Sequence, residues 1–498
     1  MKISKFLFLF LLIVVTVCVC SCGGISDADS SSSTTQKPDD PDDPDDPPVV
    51  AEDYVFDDMP IIYVDCLNDA PVVSDEIYVD CKVSVKCEYG ELEFSDVDAG
   101  IRTRGNSSLP KDPINNQTPY RIKFNKKQSV LGLNGGAECK SWVLLKPEQL
   151  TGAITFFMGQ MILVDDGYYC SDSQLVELYL NGEYRGVYLL CEQSQINPER
   201  VDVFETPKGY TSYKTGYLLE LNNYPEADEY SVYTNFGDVK LTDIEGGDLS
   251  WETLNTDGTN IHKRHYTLKN DNISNEQYEF INKYFNNLFR IAYLAIEKGQ
   301  MYEMTDTFNL TRSDETDPVE LISRYIDLRS LVNVYLIQEI TMNTDVGAGS
   351  FYISLDMSDS GNKLLTFECP WDFSWGYRSN SRYTGEKYEG LSAATFCSDT
   401  FWMANGSKKD RSNPWLILFM KAEWFRDMVR ERWDELYFGE AFEKTLEELA
   451  RWEQNYGKQF AAHENRWGEL LVKYTDRQSK WLENRIDWLD EKFFSMDK

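Results

Sequence analysis

Partway along this chain the hydrophobic period changes, and that change restricts the architecture more than any other feature. Before about residue 270, apolar residues alternate or run in short blocks bounded by turn formers. Pro60-Ile61-Ile62-Tyr63-Val64, Glu76-Ile77-Tyr78-Val79-Asp80, Lys82-Val83-Ser84-Val85 and Tyr120-Arg121-Ile122-Lys123-Phe124 are such blocks and predict strands. The clearest hairpin signal is Asn181-Gly182, set between Val176 to Leu180 and Gly186 to Leu190, because an Asn-Gly pair supplies two left-handed residues in a row. Beyond residue 270 the spacing becomes three and four. Tyr278, Ile281, Tyr284, Phe285, Leu288, Ile291 and Leu294 predict a helix over Asn275 to Lys298, and Ile326 to Ile340 reads as another. A strand pair follows, Phe351 to Leu355 and Leu364 to Phe367, turning at Asp359-Ser360-Gly361-Asn362. Residues 414–495 are mainly helical, and Trp424, Trp433, Trp452, Trp467, Trp481 and Trp488 are expected in their core. Strands first and helices second define an α+β chain, here in two parts packed around one cleft.

The N-terminus predicts a compartment. Lys2 and Lys5 precede an apolar run from Phe6 to Val19, which suits a signal-peptide core and is short for a membrane span. Ser21-Cys22-Gly23-Gly24 then resembles a lipobox, so residues 1–21 read as a lipoprotein signal peptide and Cys22 as the lipidated residue. Residues 22–53 form an acidic Asp/Pro/Ser tether, whose like charges and prolines keep it extended. Residues 54–498 carry the folded domain with its helical C-terminal extension. The chain is expected outside the cytoplasm, on the outer face of a bacterial membrane or cell surface, touching the membrane through the lipid only.

A formal net charge of −34 disfavours nucleic acid and anionic membrane surfaces as partners. Only three histidines are present, His262, His265 and His463, which argues against a Ser-His-Asp triad or a three-histidine zinc site; His262 and His265 are expected at the surface. Eight cysteines follow Cys22, none in a CxxC pair. Cys66, Cys81 and Cys87 are the nearest candidates for disulfide pairing, with buried free thiols as the alternative.

Two regions carry candidate chemistry. Ile101-Arg102-Thr103-Arg104-Gly105-Asn106-Ser107-Ser108 ends a strand in a glycine turn flanked by arginines, which can offer N–H groups and guanidinium forks to phosphate oxygens or serve as an ordinary polar turn. Asn343-Thr344-Asp345-Val346-Gly347-Ala348-Gly349-Ser350 and Pro370-Trp371-Asp372-Phe373-Ser374 flank the later strand pair, and antiparallel pairing would bring Asp345, Ser350 and Asp372 near one another.

The order of these segments resembles the spore-coat protein H (CotH) kinase family. The resemblance rests on Met59 to Val64, Arg104-Gly105-Asn106-Ser107-Ser108, Pro119 to Phe124, Trp142-Val143-Leu144-Leu145, Tyr179 to Tyr188, Glu192-Gln193 and Gly216 to Glu220, and spans roughly residues 59–440. It implies a divergent protein-kinase-like, two-lobed fold, with a strand-rich N-terminal and a helix-rich C-terminal part, that uses ATP and Mg²⁺. By the same resemblance Arg104, Asn106 and Ser107 lie over the phosphates, Lys123 is the strand lysine that contacts them, and Glu192 lies near the adenine. Asp345 takes the position of the catalytic base, and Asp372 and Ser350 hold metal. The chain departs from the family at Ser350, where an asparagine is usual, at Ser374, where a second aspartate is usual, and after Leu145, where Lys146-Pro147-Glu148 replaces an Asp and an Arg. The expected activity is transfer of phosphate from ATP to Ser or Thr of a surface or coat protein. The alternatives are a catalytically weakened pseudokinase or surface-binding module, and a carbohydrate-active protein, for which no carboxylate pair at a defined separation is legible.

Overall fold

In the computed structural model the described residues are 54–105, 108–222, 230–235, 241, 263–377, 387–395 and 413–494. Residues 1–53, which include the expected leader, the expected tether and Cys22, lie outside them, as do Asn106, Ser107 and His262. Among the described residues no helix is long and apolar enough to cross a membrane.

Seven strands close into a barrel in the order β1-β2-β3-β4-β5-β7-β6. They are β1 (Ile61–Cys66), β2 (Val79–Lys86), β3 (Phe94–Thr103), β4 (Tyr120–Gln128), β5 (Cys139–Leu145), β6 (Ser173–Leu180) and β7 (Glu183–Glu192). Six contacts are antiparallel, and the parallel pairing of β1 with β6 completes the ring. Alternation decides which side chains point inward. Tyr120, Ile122 and Phe124 of β4 join Ile62, Val64, Val83, Ile101, Trp142, Leu178 and Tyr188 in the barrel core, while Arg121 and Lys123 take the outer wall. The Asn181-Gly182 turn has the two positive φ angles the sequence implies, 51° and 73°.

The predicted strand over Glu76 to Asp80 starts only at Val79. The Ser74 hydroxyl accepts from the N–H groups of Glu76 and Ile77, at 3.1 and 3.0 Å, and the Ser74 carbonyl accepts from Thr103 at 2.9 Å. Those bonds hold the segment as a turn against β3.

Helix α1 (Leu133–Gly136) precedes β5, and α2 (Thr151–Leu163) follows it. Helix α2 is apolar all round and mostly buried, so it carries no amphipathic period to reveal it. A second, antiparallel sheet runs β14-β13-β8-β10-β9, from β8 (Gly216–Asn222), β9 (Ser231–Asn235), β10 (Lys263–Leu268), β13 (Gly349–Asp356) and β14 (Leu365–Glu368). His265 lies in β10 and is half-buried, which corrects its expected surface position: the strand turns it against the sheet instead of leaving it in a polar loop.

Helix α3 (Asn275–Lys298) has the predicted bounds because both ends are capped. Ser274 and Gln277 form a capping box, and Gly299 closes the C-terminus at φ 59°. A small hairpin, β11 (Tyr302–Met304) and β12 (Leu310–Arg312), leads to α4 (Pro318–Ser323) and α5 (Leu328–Ile340). The remaining helices are α6 (Pro414–Met420), α7 (Glu423–Tyr437), α8 (Ala441–Asn455), α9 (Gly457–Trp467) and α10 (Leu471–Leu489). Trp433, Trp452 and Trp481 are buried in them. The last helices grip the barrel: His463 Nδ1 accepts from Val187 N–H at 3.0 Å, and Trp467 Nε1 donates to the Arg185 carbonyl at 2.6 Å. Arg485 of α10 and Glu339 of α5 form a fully buried pair at 2.9 Å.

Candidate functional site

The turn after β3 is built for Gly105. Its φ is +108°, and a side chain there would run into the Ser108 hydroxyl. Arg104 N–H donates to the Pro119 carbonyl at 3.0 Å, which fixes the turn against the start of β4. The Arg104 guanidinium lies over the Trp371 ring, 5.9 Å from its centroid. The loop after β3 and the Pro370-Trp371-Asp372 segment therefore meet, although 267 positions separate Arg104 from Trp371 in the sequence.

Arg104 is one of three neighbouring cations. Arg102 stands over the Tyr78 ring at 5.3 Å and donates to the Asp75 carbonyl. Arg121 donates to Ser141 Oγ at 3.3 Å, while its Nε is buried without a hydrogen-bond partner. Burial, together with the like charges of Arg102 and Arg104, holds the Arg121 pKa below the usual guanidinium value; Tyr78 and Asp271 oppose that shift. The second sheet contributes Glu220, paired at 3.2 Å with Lys269 just past β10, and Tyr352, whose hydroxyl pKa is raised by burial and by Glu220.

Lys123 lies elsewhere on this face. It is exposed, opposite Gly100 and Ser141 in the sheet register, and forms no ion pair among the described residues. Arg121, two residues earlier on the same face of β4, is the strand cation grouped with Arg102 and Arg104. Alternation alone made the two equivalent, and only their position along the barrel wall separates them. Glu192 is fully buried. Its carboxylate accepts from Arg200 Nε at 3.0 Å and from the Tyr169 hydroxyl at 3.3 Å, so its side chain is committed to the barrel end. Burial raises its pKa and Arg200 opposes that rise.

The two acid-bearing loops lie side by side. Thr344 Oγ1 donates to the Trp375 carbonyl at 3.3 Å, and Tyr377 N–H donates to the Thr341 carbonyl at 2.6 Å. Asp345 follows Thr344 directly, with its N–H held by Asn343 Oδ1 at 3.1 Å. Asp372 is exposed, in the left-handed region at φ 56°. The Ser374 hydroxyl donates to Asp372 Oδ1 at 2.8 Å and so orients that carboxylate. Ser350 occupies a bulge of β13, at φ 55°, where the pairing with β8 skips from Gly349 to Phe351.

Glu148 closes the Lys146-Pro147-Glu148 run that follows β5. It stands 3.6 Å from Lys146 Nζ. Burial is the main reason its pKa is raised, and the charges of Asp372 and Glu469 add to the rise while Lys146 opposes it. Glu148, Gln149 and Leu150 all have positive φ, at 36°, 62° and 64°. The C-terminal region secures this bend: Glu469 Oε1, between α9 and α10, accepts from Gln149 N–H at 3.0 Å, and Gln478 Nε2 of α10 donates to the Gln149 carbonyl at 3.1 Å.

Asp372 offers an exposed carboxylate with one oxygen outside the Ser374 bond, and Ser350 offers a hydroxyl. Among the described residues no group of three or more His, Cys, Asp or Glu is placed to hold a metal. A carboxylate and a hydroxyl are oxygen donors of the kind Mg²⁺ accepts, since it takes one or two carboxylates and fills its other positions with water and substrate phosphate.

Together these residues define an α+β protein in which an arginine-bearing turn on a barrel faces an acid-bearing loop from the second sheet. A family model described as CotH kinase protein matches residues 101–489, from β3 to the end of α10, and the chain belongs to that family. A search of curated proteins found no match to the chain.

Proposed function

We propose that this chain is an exported, lipid-anchored, atypical kinase of the CotH type, which transfers phosphate from ATP to a Ser or Thr hydroxyl of a surface or coat protein. The observation that carries the reading is the approach of Arg104 to Trp371, because it joins a phosphate-competent turn to the segment bearing Asp372. Arg104 and Arg121 supply positive charge for the phosphates, and the Gly105 turn admits them closely. Asp345 accepts the proton of the attacking hydroxyl, held in place by its backbone bond to Asn343. Asp372 and Ser350 would hold Mg²⁺, which when bound neutralises charge on the transferring phosphate. Cys22 carries the anchor and residues 22–53 set the domain off the membrane.

One observation favours a binding-only protein as the second reading: Ser374 hydrogen-bonds Asp372 instead of adding a second carboxylate, so less negative charge is available for metal. Calorimetric titration with ATP and Mg²⁺, paired with phosphate transfer to a Ser/Thr peptide mixture, separates the two. Asp372→Ala is expected to remove the Mg²⁺-dependent part of binding. Asp345→Asn is expected to keep binding and lose transfer. Binding without transfer by the unmutated protein establishes the second reading, and no binding of any nucleotide overturns both.

A further inference from the structure

Two cysteines face each other across the first two strands of the barrel. Cys66 ends β1, Cys81 lies in β2, and they are direct partners in the antiparallel register. Both point into the barrel core, each about 6% exposed. The backbone bonding settles which kind of pair they form. The carbonyls of Pro60 and Val64 accept from Glu177 and Asn181 on the β6 side, and Cys66 N–H donates to Asn181 Oδ1 at 2.8 Å. Residues 60, 64 and 66 thus direct their backbone groups away from β2, and the Cys66–Cys81 pair is not hydrogen-bonded across the strands. Pairs of that kind bring Cα atoms to about 4.5 Å and side chains closer than the alternate kind. A disulfide requires roughly 4.4–6.8 Å between Cα atoms.

We propose that Cys66 and Cys81 form a disulfide when the folding chain meets a small-molecule or protein disulfide. One cysteine, as thiolate, attacks the oxidant's S–S bond and releases one thiol. The other then displaces the second thiol and closes the Cys66–Cys81 bond. Two protein thiols are oxidised and one oxidant disulfide is reduced to two thiols. The bond forms while β1 and β2 are pairing, because in the finished barrel burial pushes the Cys66 thiol to about 11 and the Cys81 thiol to about 12, leaving little thiolate to react. Other thiols compete less well. Cys87 Sγ is turned to the Tyr89 carbonyl at 3.1 Å, closer than Cys81 Sγ is to the Ala99 carbonyl at 3.5 Å; Cys139 of β5 shares the barrel core but lies opposite Gln128 in the register; and Cys170, Cys191 and Cys369 belong to the other core. The bond closes residues 67–80 into a loop. That loop contains Ser74 and Asp75, whose carbonyls accept from Thr103 and Arg102, so the bridge secures the approach to the Arg104 turn without belonging to it.

The full chain is refolded with glutathione and glutathione disulfide, its remaining thiols are alkylated, and it is digested without reduction. A linked peptide joining Cys66 to Cys81 is expected, and the oxidised protein is expected to melt about 3 °C above the reduced one. Cys66→Ser is expected to abolish both the linked peptide and the difference. If that variant fails to fold, the peptide map of the unmutated protein decides. Cys66 and Cys81 both alkylated in the folded, oxidised protein, or Cys81 linked to Cys87, overturns the proposal. The test requires neither nucleotide binding nor export, so its outcome is independent of the kinase reading.

Discussion

Arg121→Met separates a ligand-binding role for Arg121 from a structural one. The substitution keeps the stem that lies on the barrel wall and removes the guanidinium. In the free protein it removes one hydrogen bond, to Ser141 Oγ, which contributes about 1 kcal/mol. It also ends the burial of a charge and its repulsion by Arg102 and Arg104, the two causes that hold the Arg121 pKa down. These opposed effects nearly cancel. Unfolding entropy of about 2 cal/mol/K per residue makes 1 kcal/mol worth about 1 °C in a chain of this size. The melting temperature of the free protein should therefore move by about 1 °C or less. The bound state loses a charge-assisted hydrogen bond to phosphate, about 1.5–3 kcal/mol, which weakens nucleotide binding about 10- to 150-fold. Calorimetric titration with ATP and Mg²⁺ reads the second quantity and differential scanning calorimetry the first. An unchanged Kd accompanied by a melting temperature several degrees lower would refute the reasoning and make Arg121 a structural residue of the barrel.

Two further outcomes follow from buried charge. Arg485→Met leaves Glu339 buried without its cation, and chemical denaturation should show a loss of about 3–5 kcal/mol; a loss below about 1 kcal/mol would show that the backbone N–H groups of Ser392 and Ala393 suffice to hold the carboxylate. The raised pKa of Glu148 means that the folded state binds its proton more tightly than the unfolded chain, so native stability falls as pH rises from the ordinary carboxylate range through the raised value. Glu148→Gln removes that fall, and the melting temperature of the variant minus that of the unmutated protein should increase between about pH 4 and pH 7; a flat difference would mean that Glu148 titrates as it does in the unfolded chain.

Local chemistry made much of this protein legible in its sequence. Asn181-Gly182 specified the β6–β7 hairpin through two left-handed residues, and Ser274 with Gln277 and Gly299 set both ends of α3, because turns and caps depend on residues adjacent in the chain. The alternation in Tyr120 to Phe124 gave the inner and outer faces of β4 correctly. The change of period near residue 270 gave the α+β class, and the ordered motifs gave the family that the match over residues 101–489 shows.

Tertiary structure decided whatever depended on partners distant in sequence. Helix α2 is apolar and mostly buried, and β8 to β10 form part of a sheet completed by β13 and β14 far later in the chain, so neither carries a complete local signature. The same limit governed the candidate site. Sequence could place Arg121 and Lys123 on one face but could not tell which would join Arg102 and Arg104, since that depends on where along the wall the β3 turn and the second sheet approach. Glu192 was legible as an acid after a hairpin, and its commitment to Arg200 came only with the fold. Side-chain identity and period are written residue by residue, whereas burial and electrostatic neighbourhood belong to the packed whole.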